Sequence, residues 1–149
     1  AFSTRSKEEV KNWHVDNWKK TINELSKTFS IIHLGDNQEP TFQRVHRFAG
    51  KCTMRESAAL LSHCSIFVGP DSLLMHMANG LDIKSIIIFG NARPVNCLGY
   101  SENINLIGND PKNGSWIHHS SIDKEMHRSF IDIEADVVVS ETLSFLCHA

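Results

Sequence analysis

Asp71 and Ser72 stand between an apolar run and a helix-forming stretch, so a carboxylate and a hydroxyl meet the unpaired amides of a helix start. Ile66-Phe67-Val68 before them and Ile86-Ile87-Ile88-Phe89 after them are apolar without alternation. That is the pattern of parallel strands covered on both faces. Gly69-Pro70 breaks the first strand, and either Asp71 or Ser72 caps a helix that ends near Gly80. A right-handed β-α-β unit follows, with its helix N-terminus at the carboxyl end of the first strand. In open α/β sheets ligands bind there, and a helix N-terminus favours anions. His76 lies one turn into the helix. It lies on the face that could look back to the site, but a histidine beside Leu74, Met75 and Met77 is more often a core residue.

These groups need a scaffold, and 149 residues suffice for one domain with its own core. The formal charge of −2 leaves no nucleic-acid footprint. No apolar run has the length of a membrane span, and the N-terminus lacks a signal-peptide pattern. Cys52, Cys64, Cys97 and Cys147 form neither a CxxC nor a zinc spacing. They read as reduced thiols of a cytosolic protein. His118, His119 and His127 fit no common zinc pattern, so no metal and no cofactor is expected.

Residues 1–11 are mostly polar. Asp16 is expected to cap a helix running to about Lys27, with Trp18, Ile22 and Leu25 as its apolar stripe. Residues 29–34 read as a short buried strand stopped by Gly35-Asp36-Asn37. Pro40 could start a short helix through Val45. Thr53 and Glu56 form a capping box opening a helix over 54–63, with Ala58, Leu60 and Leu61 inward. Residues 91–102 and 110–121 read as loops, 103–107 as a strand and 134–146 as a closing helix. The alternation of strands and helices implies an α/β fold with a doubly wound, Rossmann-like parallel sheet. Its first strand is truncated or missing: either Ala1-Phe2-Ser3 is what remains of it, or the chain is a fragment.

Three stretches resemble glycosyltransferase family 9, the heptosyltransferase-like enzymes of the GT-B fold. Lys11-Asn12-Trp13 looks like the family's Lys-x-Trp segment, and Thr53-x-x-Glu56 through Cys64 is similar to the helix before its signature. The most specific is Val68-Gly69-Pro70-Asp71-Ser72-Leu73-Leu74-Met75-His76-Met77-Ala78-Asn79. Phe89-Gly90, Arg93-Pro94 and Leu98-Gly99-Tyr100 also look like this family. The sequence departs from the pattern at Leu73, where a glycine is usual, and around Trp116, where some relatives carry cysteines.

The resemblance implies one nucleotide-sugar-binding domain over 1–149, the carboxy-terminal donor lobe of a two-lobe enzyme. Lys11 would then meet the donor diphosphate, together with Ser72 and the amides at Leu73 and Leu74. Asp71 would cap the helix or accept sugar hydroxyls, Glu39 would accept a ribose diol, and Thr53 would lie near the adenine edge. The family transfers heptose or a related sugar from a nucleotide diphosphate, of the ADP-heptose kind, to a cell-surface glycan such as lipopolysaccharide. Its acceptor and catalytic base belong to an amino-terminal lobe, the expected partner. This chain alone is then expected to transfer no sugar. A cytoplasmic place at the inner face of the membrane follows, with peripheral contact through the partner lobe. The alternative is a non-catalytic nucleotide- or phosphate-binding α/β module, or a structural fragment that works only when docked to a partner.

Overall fold

The computed structural model describes residues 1–7, 11–89, 99–108 and 133–147. The expected loop over 110–121, most of that over 91–102, and His118, His119 and His127 lie outside the described residues. In chain order the elements are α1 (Val15–Leu25), β1 (Ile32–His33), β2 (His46–Arg47), α2 (Met54–Leu61), β3 (Phe67–Pro70), α3 (Leu73–Gly80), β4 (Ser85–Phe89), β5 (Ile104–Ile107) and α4 (Ala135–Cys147).

Among the described residues every strand pairing is parallel. Phe2 bridges His33 on one side and Val68 on the other, and so joins β2–β1 to β3–β4–β5. Its amide donates to Ile32 O at 2.9 Å, and its carbonyl accepts from the Leu34 amide at 2.9 Å. The opening residues therefore hold the centre of the sheet. In chain order the six parallel segments lie third, second, first, fourth, fifth, sixth. This is the doubly wound order, and it reverses between the opening segment and β3.

Both faces are covered, which explains the unbroken apolar runs. Val68, Ile86 and Ile88 pack with Trp18 and Ile22 of α1 and Val138 of α4. Phe67, Ile87 and Phe89 pack on the other face with Leu61 of α2 and Leu74, Met75 and Ala78 of α3. Each such side chain contributes about 1.5–3 kcal/mol when fully buried, so the two layers of helix hold the strand ends, and with them the site, in fixed relation.

Local chemistry sets the element starts, with three corrections. Asp16 does not cap α1: the N-cap is His14, without a side-chain cap bond, and Asp16 pairs with Lys19 at 2.8 Å on the helix surface. The helix also ends at Leu25, not at about Lys27. Residues 40–45 form no helix; the chain runs instead into the two-residue strand β2, which pairs with β1 alone. So short an edge strand shows no period in sequence. The capping box of Thr53 and Glu56 is present, and the backbone and hydroxyl of Thr53 hold the Glu56 carboxyl below its ordinary pKa. Leu61 faces inward, while Ala58 and Leu60 are half-buried.

Candidate functional site

Four loops meet at the carboxyl ends of the strands around the reversal in order, and they enclose a cleft of about 580 Å³. Arg5, Ser6 and Lys7 line it just after the opening segment, and Lys11 joins them. Gly35 and Asp36 follow β1, Cys52, Met54 and Ser57 come from the start of α2, and Asp71, Ser72, Leu73, Leu74, His76 and Met77 come from the start of α3.

Lys11 is buried at 8 % exposure, and its Nζ lies 2.8 Å from Asp71 Oδ2. Its neighbours hold it there. Trp13 is buried against Trp18, with ring centroids 5.1 Å apart, and its indole donates to Ile133 O at 3.0 Å. Asn12 accepts from the Ser6 amide at 2.6 Å and donates to Ser6 O at 3.4 Å. Lys11 thus enters the cleft with a counter-ion rather than as a solvated surface charge.

Asp71 is spent on that pair, and the N-cap of α3 is Ser72. Ser72 makes no side-chain cap bond, and its buried Oγ has no partner among the described residues. Leu73 is the first residue of α3, has no positive φ, and stands half-exposed over the cleft. The first amides of a helix have no partner within it, so the α3 start turns donors and the positive end of its dipole towards the cleft. His76, exposed on the next turn, has its Nδ1 2.9 Å from the Tyr100 hydroxyl. That contact pins the segment entering β5 to α3.

Glu39 and Thr53 stand apart from this group. Glu39 is 5 % exposed and does not line the cleft; its carboxylate accepts from the Thr4 and Arg5 amides and the Thr4 hydroxyl. The position expected to meet a ribose diol is here a buried anchor under the loop. Thr53 is exposed on the capping box, while its neighbours Cys52 and Met54 line the cleft. Sequence reasoning missed Arg5, Ser6 and Lys7, which read as a polar tail. The signal was Ala1-Phe2-Ser3 just before them, since the residues leaving a central strand line the crevice. Arg5 donates to Gln38 Oε1 at 3.1 Å, and its buried Nε has no partner among the described residues.

Three cations, two carboxylates and a helix start in one cleft suit a ligand carrying clustered negative charge. Among the described residues no group of three metal-ligating side chains occurs, and no helix is long and apolar enough to cross a membrane.

No curated protein matches this sequence. Solved structures do. An E. coli ADP-heptose lps heptosyltransferase II matches with a TM-score of 0.76 at 16% identity, over 99% of this chain and 46% of that one. E. coli heptosyltransferase WaaC with ADP gives 0.73 at 18% identity, over 97% and 43%. A glycosyl transferase of family 9 from Veillonella parvula gives 0.78 at 18% identity, over 99% and 45%. These likenesses show a shared fold, and the chain spans less than half the length of each of these structures. The model of glycosyltransferase family 9 (heptosyltransferase) matches residues 1–127, and to that family the chain belongs.

Proposed function

We propose that this chain is the donor-binding lobe of a glycosyltransferase that transfers heptose or a related sugar from a nucleotide diphosphate sugar. The observation that carries this reading is the charged cleft at the point where the strand order reverses, closed by the start of α3. That WaaC was solved with ADP and with ADP-2-deoxy-2-fluoro heptose supports an adenine nucleotide as the ligand class. Lys11, Arg5 and the first amides of α3 would neutralise the diphosphate as it departs from the anomeric carbon. Asp71 would hold Lys11 in place. A second lobe would supply the acceptor, such as a lipopolysaccharide precursor, and the catalytic base at the cytoplasmic face of a membrane. The purified chain alone would then bind donor and transfer none of it.

Calorimetry of the chain with ADP, UDP and GDP, and with their sugars, tests the reading. Heat with ADP and ADP-sugars is expected, and no heat with any nucleotide removes it. Leu73→Gly sharpens the test. Removing the side chain over the α3 amides is expected to tighten ADP binding, while losing a leucine from the helix costs up to about 1 kcal/mol. Paired titrations and thermal melts read both effects. A glycine variant that binds no better shows that Leu73 does not obstruct the ligand.

A further inference from the structure

We propose that Arg47, His33 and Glu39 form a buried relay that positions the loop carrying Arg5 into the cleft. His33 is fully buried, stacked on Phe2 at 4.3 Å and edge-on to Phe42 at 5.3 Å. Its Nδ1 lies 3.2 Å from Arg47 Nη1, and its Nε2 lies 3.1 Å from Glu39 Oε2. A guanidinium only donates. Nδ1 must therefore accept, the ring proton sits on Nε2, and His33 is neutral and donates to Glu39.

The other partners agree. Arg47 donates to the carbonyls of Pro40 at 2.7 Å and Glu39 at 2.9 Å, which fixes both the guanidinium and the backbone carrying the carboxylate. Glu39 Oε1 accepts from the Thr4 and Arg5 amides at 3.1 Å each. Oε2 accepts from the Thr4 hydroxyl at 2.5 Å as well as from His33. The two amides and the His33 Nε2–H all donate to this carboxylate. The guanidinium and the carboxylate balance each other across a neutral imidazole. None of the three residues lines the cleft, yet Glu39 holds both amides of the strand exit from which Arg5, Ser6 and Lys7 reach it. They are positioning residues.

The consequence for ligand binding rests on the nucleotide reading of the cleft; the relay itself does not. Two readouts separate them: hydrogen exchange at the Thr4 and Arg5 amides, and the ADP dissociation constant. In the parent chain both amides are expected to be protected, and nitrogen NMR is expected to show His33 protonated on Nε2 alone. His33→Leu is expected to release both amides and weaken ADP binding about tenfold or more, the scale for losing a group that orients a site. His33→Gln keeps an acceptor for Arg47 and a donor for Glu39, and is expected to restore both readouts. Should His33→Leu not fold, Glu39→Leu asks the same question, because it removes both oxygens that hold the two amides. Val138→Ala, in the core beside α4, lowers the melting temperature but moves neither readout. A doubly protonated or Nδ1-protonated ring overturns the relay, as do amides that stay protected in both His33→Leu and Glu39→Leu. Protected amides and the Nε2 proton in a chain that binds no ADP uphold the relay and sink the nucleotide reading instead.

Discussion

Lys11→Ala is expected to cost the chain both stability and ligand. The substitution leaves the Asp71 carboxylate, 6 % exposed, without the ammonium 2.8 Å away. Breaking a buried pair costs about 3–5 kcal/mol and an exposed one less than about 1. The pair borders an open cleft, so about 2–3 kcal/mol is the expected loss, or about 5–10 °C in melting temperature for a chain of this length. That exceeds what sequence alone suggests, since a surface lysine would change stability by about 0.5 kcal/mol at most. Nucleotide binding should weaken by a further 1.5–3 kcal/mol, roughly one charge-assisted hydrogen bond. The double variant Lys11→Met with Asp71→Asn separates the two effects. It removes both charges, so urea unfolding should recover most of the stability, whereas calorimetry should still show weak ADP binding. Unchanged stability in Lys11→Ala would mean the pair is solvated, and full ADP affinity in the double variant would take Lys11 off the phosphate.

Gly35→Ala is expected to be more damaging, for a reason no sequence pattern shows. Gly35 has φ +128°, a conformation that side-chain-bearing residues rarely adopt. A Cβ there would lie 2.5 Å from Glu39 Oε1 and 2.6 Å from its Cγ. Glu39 cannot give way cheaply, because its oxygens hold the Thr4 and Arg5 amides and the His33 ring. Backbone strain of about 1–3 kcal/mol adds to overpacking of about 1–3 kcal/mol. The expected loss is about 3–5 kcal/mol, with weaker ADP binding because the displaced carboxylate anchors the cleft loop. Gly80→Ala is the control. Gly80 ends α3 without a positive φ, and nothing lies within 4 Å of its added Cβ. Alanine there should raise stability by about 0.4–1 kcal/mol. Urea unfolding of both variants reads the contrast, and equal losses would refute the steric account.

The sequence by itself determined the fold class, because its signals are local. The unbroken runs at 66–68 and 86–89, the capping box at Thr53 and the stripe of Trp18, Ile22 and Leu25 each report burial or a helix start within a few residues. Asp71, Ser72, Leu73 and His76 were legible as a group for the same reason, since one turn and one helix carry them. Tertiary structure decided the rest. The opening residues came to bridge the two halves of the sheet only because β1 and β3 flank Phe2, which turned Arg5, Ser6 and Lys7 from a polar tail into a cleft wall. The partner of Asp71 lies sixty positions away, so its choice of Lys11 over the α3 cap has no trace in local spacing. Glu39 and His33 are close in sequence, yet their pairing depends on the turn at Gly35 and on Arg47 arriving from the neighbouring strand. Local propensity sets which elements form, but a buried charge takes whichever partner packing brings within reach, and that partner is fixed only when the sheet closes.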